Sequence, residues 1–294
     1  LQALNLLRGR LFLGMRNFRI SSLRLLSVFI LLPVVVGVSA CSSTKEAEQA
    51  QIEESVDVLY NKAAAALDDE NYREATRLFE EVERQHPYSQ WATQAQLMAA
   101  FSSYQDQRYA EAIIALDRFI ELHPGNDDID YAHYLKALCY YEQISDVARD
   151  QDMTEQALRS LDTLIRRFPD SKYARDASLK RDLAFDHLAG KEMEIGRYYL
   201  RRNQVNAAIN RFRVVIQNYQ TTTHTAEALH RLVEAYLTLG LKNEATQVAA
   251  VLGHNYPGSK WYKRSFDLLD DQARRKLIED RGYVERTVDT LFKP

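Results

Sequence analysis

The stretch Phe168–Ala177 reads FPDSKYARDA, and it is one of three versions of the same phrase. An earlier version, HPYSQWATQA, fills residues 86–95, and a later one, YPGSKWYKRS, fills 256–265. Each sets down an aromatic residue or histidine, proline, any residue, serine, any residue, then an aromatic. Twelve residues before each proline position stands a small residue: Ala75 before Pro87, Ala112 before Pro124, Ala157 before Pro169, Ala245 before Pro257. A fifth copy has Ala208 and, twelve residues on, Gln220 in place of proline. Eight residues past the proline position come Ala95, Ala132, Ala177, Ala228 and Ser265. Four past the first alanine come Phe79, Leu116, Leu161, Phe212 and Ala249. Successive copies lie 37, 45, 51 and 37 residues apart. Five coincident sets of this kind mark an internal repeat.

The physics of that pattern is a stacked helical hairpin. Each unit has a helix A, a short turn, and a helix B that ends before the proline. Proline has no N–H and pushes the preceding residue out of the α region, so helix B stops there. Ser89, Ser171 and Ser259 are placed to cap the next helix A, worth about 1 kcal/mol each. The aromatic that follows packs the junction. The small residues let A and B approach closely, and the large ones fill the neighbouring gap. The phrase is therefore a corner between hairpins, not a catalytic site. Composition agrees. The 294 residues include only 10 Gly and 6 Pro, and 46% are apolar, enough for a sizeable core. No stretch after residue 50 alternates like a strand, so the chain reads as all-α.

The helix B segments ENYREATRLFEEV (70–82) and QRYAEAIIALDRFI (107–120), with EAYLTLGLKNEA (Glu234–Ala245), resemble the tetratricopeptide repeat. The resemblance implies a right-handed superhelical solenoid of about five hairpins, whose concave face typically binds a peptide or protein. The usual period is about 34, so the longer spacings predict extended helices around CYYEQISDVARDQDMTEQA (139–157) and AFDHLAGKEMEIGRYYL (184–200).

The first forty residues hold five arginines and no acid, then the apolar run LLSVFILLPVVVGVSA, ending at Cys41. This reads as a signal peptide over 1–40, with Met15 the better start. VSAC (Val38–Cys41) resembles a bacterial lipobox, which implies acylation of Cys41 and cleavage before it. The bland alternatives are an ordinary signal with a chance cysteine, or an uncut membrane helix. Several acyl chains hold a protein stably on a bilayer where one does not. Ser42 follows, and in lipoproteins of this kind that implies the outer membrane, facing the periplasm. Residues 42–54, SSTKEAEQAQIEE, have no apolar face and read as a flexible tether reaching up to ~45 Å. Cys139 is the remaining cysteine; in YLKALCYY it reads as a buried core thiol rather than a reactive one.

Four segments carry a more specific likeness: ACSSTKE (40–46), FIELHPGNDDIDYAHYLKAL (119–138), residues 166–202 ending EIGRYYLRR, and AAINRFRVVIQNYQ (207–220). Together they resemble the BamD family, the repeat lipoproteins of the outer-membrane β-barrel assembly machinery, over about residues 38–260. The tail 266–294, a helical or disordered extension, has no clear counterpart. The resemblance implies a scaffold, not an enzyme. Its partner is an integral β-barrel protein with periplasmic domains, with other assembly lipoproteins possible. N-terminal repeats (55–155) would receive unfolded barrel substrates, and C-terminal repeats (156–265) would dock on the partner's periplasmic domain. In the family the arginine of an Asn-Arg pair meets an acid of that domain. Asn210-Arg211 match the pair, and Arg201 and Arg202 are the further docking candidates. Arg211 lies three past core-facing Ala208, at an edge where a long side chain reaches out of a packed surface. The alternative is an internal pairing, with Glu194 or Glu234.

Charge supports two distinct ends. Residues 42–155 hold 9 Lys and Arg against 24 Asp and Glu, a net of −15, whereas 156–264 hold 18 against 10, a net of +8. Such polarity biases encounters with partners of opposite sign, although solvated helix faces give the same count. Nucleic acid is excluded as a partner by the export signal and the net negative mature chain. Tyr88, Trp91, Tyr104, Tyr131 and Tyr134 fall on or beside A helices of repeats two and three. Aromatic anchors suit a partner's apolar side chain, so Tyr88, Tyr104, Tyr131 and Tyr134 are candidate groove residues. Trp91 is the one assigned to inter-repeat core, a reading open to the tyrosines too. No histidine or cysteine pair has metal-ligand spacing on one helix face, and no nucleotide or hydrolase motif occurs. No cofactor is expected beyond the lipid on Cys41. The competing functions are a periplasmic repeat adaptor in cell-wall synthesis or envelope constriction, and a repeat-regulated lipoprotein enzyme.

Overall fold

A computed structural model describes residues 54–279 of the chain. The signal-like segment, Cys41, the tether up to residue 53, and residues 280–294 of the C-terminal extension lie outside the described residues. Every described element is a helix. Five antiparallel pairs follow the predicted A and B order: α1 (Val56–Asp68) with α2 (Tyr72–Gln85), α3 (Gln90–Gln105) with α4 (Tyr109–Leu122), α5 (Ile129–Tyr141) with α6 (Asp152–Arg167), α7 (Ala174–Arg201) with α8 (Val205–Asn218), and α9 (Thr225–Thr238) with α10 (Lys242–Asn255). Two short helices follow, α11 (Lys260–Leu268) and α12 (Asp271–Glu279). Up to α11 each helix packs on its neighbours in sequence, and A helices also touch across repeats, α1 on α3, α3 on α5 and α9 on α11. This is a stack of tetratricopeptide-like hairpins.

The repeat positions are the core. Ala75, Ala112, Ala157, Ala208 and Ala245 are all fully buried. So are Ala95, Ala132, Ala177, Ala228 and Ser265, and the fillers Phe79, Leu116, Leu161, Phe212 and Ala249. Close approach in the fourth hairpin rests on a glycine. A Cβ on Gly196 of α7 would stand 2.4 Å from the ring of Phe212 on α8, so only glycine fits there. Cys139 is buried as expected, and burial pushes its thiol up to about 12.

Four of the five A-to-B turns share a device. Glu70, Gln107, Asn203 and Gly240 each stand five residues before the repeat alanine and adopt positive φ, 57°, 58°, 59° and 77°. The next residue's N–H bonds back across the helix end, as Asn71 does to Ala66 and Leu241 to Tyr236, each at 2.9 Å. These are helix-closing turns of the type that glycine favours. Only one copy uses glycine, so the signal is visible in the sequence at Gly240 alone.

The third hairpin departs from expectation. Its 45-residue spacing comes from a loop over residues 142–151, not from a longer helix. Polar side chains of this run bond the local backbone instead of leaving it to a helix. Asp146 accepts from the Ala148 N–H at 2.8 Å, and Gln151 donates to the Arg149 carbonyl at 3.0 Å. Lys191 of α7 fastens the loop, donating to the carbonyls of Ala148 and Arg149 at 2.8 and 3.0 Å. The 51-residue spacing does come from a longer helix, the 28-residue α7.

Two of the three corner serines cap as expected. Ser89 accepts from the Ala92 N–H and Ser259 from the Tyr262 N–H, both at 3.1 Å. Ser171 does not cap α7, which starts later, at Ala174. It accepts from the Tyr173 N–H at 3.1 Å and donates to Asp130 of α5 at 2.6 Å, tying the corner sideways. The residue before the proline position has one conformation throughout, φ and ψ of −130° and 57° at His86 and −130° and 40° at Tyr219. Tyr219 thus already prepares a proline site although Gln220 follows. Gln220→Pro should therefore be tolerated, and by restricting the unfolded chain should add about 0.4–1 kcal/mol. Thermal melting checks this; a large drop in Tm would mean that the fourth corner is built differently.

Candidate functional site

Two sets of side chains stand out, and they lie in different repeats. The first is an aromatic ladder where α5 meets α7. Tyr134 stacks on Tyr173 with centroids 4.8 Å apart and planes within 15°, and Tyr131 leans on the same ring at 5.3 Å. Tyr173 is the corner aromatic of the opening phrase, held there by the turn at Ser171. The Tyr134 hydroxyl donates to Asp176, which also takes an ion pair from Lys180 at 2.9 Å. Burial, then the Asp176 bond, drives the Tyr134 phenol well up, and burial brings Tyr131 up to about 12. Both remain neutral. Lys172 sits 5.0 Å over the Tyr173 ring, and Lys180 lies 5.6 Å from Tyr141. The ladder offers half-buried aromatic faces with cations at the rim.

The other groove candidates differ in how near they come to it. Tyr104 is half-buried against Tyr109 at 5.8 Å, in the cluster that includes Tyr131. Tyr88 is fully exposed at the first corner. Trp91, expected in the core, rests on Tyr60 at 4.6 Å but leaves 42% of its surface exposed. It lies in the first turn of α3, where the Tyr60 ring of the first hairpin covers only part of it.

His133 stands behind the ladder, against Phe168 at 5.4 Å and with Arg167 3.3 Å away. Burial, then the Arg167 charge, brings its imidazole down to about 4. An unfolded histidine titrates near ~6.5, so the neutral ring favours the fold above that pH and the advantage fades as pH falls toward 4. We expect an acid-side loss on the order of 2–3 kcal/mol. Chemical denaturation at stepped pH should show a flatter slope between these values for His133→Gln.

The second set is on the fourth hairpin. Asn210, Arg201 and Arg202 are exposed, with Arg202 lying 4.7 Å over the Tyr198 ring. Arg211 is half-exposed and forms an ion pair with Glu192 of α7, at 3.1 and 3.3 Å. Its internal partner is thus neither Glu194 nor Glu234. Glu194 is exposed, and Glu234 is engaged by Arg231 at 2.8 Å and His230 at 3.4 Å. Glu192 stands one turn before Gly196, whose close approach to Phe212 sets the α7–α8 register.

A cleft of about 540 Å³ opens between loop 142–151, α7 and the corner before α9, lined by Ile144, Val147, Leu183, Asp186, His187 and His224. His187 is bonded to Gln151 at 2.8 Å, and His224 lies 3.6 Å from Asp186. Among the described residues no cluster of His, Cys, Asp or Glu could hold a metal ion, and no helix is long and apolar enough to cross a membrane. The aromatic faces of the first set and the cations of the second suit contacts with a partner.

Comparison with known proteins bears on what they bind. A family model described as YfiO, outer membrane lipoprotein, matches residues 52–252. The outer membrane protein assembly factor BamD of Caulobacter vibrioides is 51% identical over 247 residues, covering 84% of this chain and 81% of that one. The factor of the same name in Rickettsia prowazekii is 48% identical over 246 residues, 84% of this chain and 96% of its own. That of Neisseria meningitidis serogroup B is 36% identical over 250 residues, covering 80% and 94%. Among solved structures, PilW, a type IV pilus biogenesis factor, aligns over 71% of this chain and 97% of its own, at 16% identity and a TM-score of 0.22, too low to carry weight.

Proposed function

The chain belongs to the YfiO family of outer membrane lipoproteins, the family of the BamD assembly factors, and from that premise we propose that it is a non-enzymatic scaffold for inserting β-barrel proteins into the outer membrane. The observation that carries this reading is the extent of the match. It enters before α1 and runs into α10, so it takes in all five hairpins and not a generic pair of repeats. A lipid on Cys41 would hold the stack at the periplasmic face.

Within that scaffold we assign the two sets of side chains to two partners. The ladder of Tyr131, Tyr134 and Tyr173 suits an apolar or aromatic side chain of an unfolded barrel strand, with Tyr88 and Tyr104 on the way to it. The exposed Asn210, Arg201 and Arg202, with Arg211, suit an acidic surface of a barrel partner's periplasmic domain. The C-terminal repeats carry the positive balance that such docking needs. Other assembly lipoproteins are compatible with the remaining faces.

The substrate assignment is tested by photo-crosslinkers at positions 88, 104, 131 and 134, and at controls in α8 and α10. A peptide ending in the aromatic terminus of an outer-membrane barrel should label 131 and 134 most strongly. Labelling confined to α8 and α10 would overturn the division of labour.

A further inference from the structure

The far corner of the stack carries a basic, aromatic surface that the scaffold reading leaves unused. Three contacts fix the rotation of α11. Tyr262 lies so close to α10 that a Cβ on Gly253 would stand 2.5 Å from its ring. Ser265 is fully buried, its Oγ 2.8 Å from His230 Nδ1. Leu269, just past the helix, is buried as well. Ser265 is the copy in which the repeat's small residue is not alanine, and its hydroxyl is used to pin α11.

With that side committed, Trp261, Arg264 and Leu268 form a row at i, i+3 and i+7. Trp261 is half-buried, its ring 5.2 Å from His230, and Leu268 is 48% exposed. Three cations surround the Trp261 ring: Lys260 at 5.0 Å, Arg264 at 5.1 Å and Arg231 at 5.7 Å. Arg231 is matched by Glu227 and Glu234. Lys260, Lys263 and Arg264 are exposed, and among the described residues no salt bridge engages them. Asp267 is the one acid of α11. Of the acids that follow, Asp270 pairs with Lys242 at 3.2 Å and Asp271 with Arg274 at 3.8 Å. On α12, Arg275 is exposed and Ile278 is 67% exposed.

We propose that this corner docks on an anionic lipid surface, with Trp261 and Leu268 at headgroup level and Lys260, Lys263 and Arg264 on the lipid phosphates. Tryptophan prefers the membrane–water boundary, where its ring is half in each phase. Clustered Lys and Arg add an attraction to anionic headgroups that falls off within about a Debye length. An acidic protein segment would match the cations alone; a lipid surface also takes up the half-buried Trp261 ring and the exposed Leu268. The inference uses the proposed lipid tether only to bring the chain to a bilayer. The tether and this corner then make two weak-to-strong contacts at opposite ends of the chain, the arrangement that stabilises peripheral attachment.

The chain has two tryptophans, so Trp91→Phe leaves Trp261 as the reporter. The acylated full-length protein is reconstituted in phosphatidylcholine vesicles with and without phosphatidylglycerol, each carrying a headgroup nitroxide quencher. We expect Trp261 quenching to rise several-fold with phosphatidylglycerol, to vanish at high salt, and to be absent in the triple variant Lys260→Gln, Lys263→Gln, Arg264→Gln. Circular dichroism checks that the variant is folded. Flotation with neutral vesicles reports the anchor separately, so a failed tether is distinguishable from a failed corner. Quenching that ignores lipid charge, or none, overturns the proposal. So does a photo-crosslinker at position 263 that captures an acidic protein and no lipid.

Discussion

Cys41→Ala moves the protein out of the outer-membrane fraction once peripheral contacts are removed with salt. The expectation rests on the size of the two kinds of attachment. Burying acyl chains contributes roughly 0.8 kcal/mol per CH₂, and more than one chain makes release negligible. Electrostatic contact at the α11 corner is screened by salt, so it cannot replace the lipid. Fractionation at low and high salt, with mass spectrometry of the N-terminal peptide, measures both steps. A variant that stays in the membrane like wild type at high salt would show that lipid is not the main tether.

The second large effect concerns Arg211. Removing one member of a buried interfacial charge pair costs on the order of 2–5 kcal/mol, tens to thousands in affinity. Arg211→Glu should therefore cut recovery of the barrel partner sharply. The ion pair with Glu192 complicates that single substitution, because it sets two carboxylates side by side. The charge swap Arg211→Glu with Glu192→Arg resolves it. The swap restores the internal pair but not an outward cation at position 211. If Arg211 serves only to brace α8 against α7, the swap recovers both stability and binding. If it also meets an acid of the partner, the swap recovers Tm and leaves binding impaired, which is the result we expect. Surface pairs contribute little, about 0–1 kcal/mol, so the isolated protein should change modestly in either variant.

The repeat was legible because the constraint on it is steric. Only a small residue fits where helices A and B cross, and only proline or an equivalent corner ends helix B, so Ala75 to Ala245 and Pro87 to Pro257 repeat in register. The helix-closing turns were not, because an αL residue costs little enough that Glu70, Gln107 and Asn203 occupy it without glycine. Spacing alone does not tell where inserted residues go, so it predicts helix at 142–151 where the structure has a loop. Asp146 and Gln151 decide the matter through local backbone bonds that periodicity does not register. Within the candidate sites, Tyr131 and Tyr134 were found from their place on an A helix. Tyr173 was seen as a corner aromatic, yet its role as the centre of the ladder depends on Ser171 leaving the cap position to hold Asp130. Arg211 was correctly placed at an edge, but the identity of its internal acid needed the α7–α8 register set by Gly196 and Phe212.

The identity of the docking partner decides the function. The most direct measurement is isolation of the acylated chain from detergent-solubilised outer membrane, with crosslinkers at positions 201, 202, 210 and 211 and identification of what they capture. We expect an integral β-barrel protein bearing periplasmic domains, crosslinked through one of those domains and recovered poorly with the charge-swapped variant. Recovery of peptidoglycan synthases or their regulators at these positions, with no barrel protein, would contradict it.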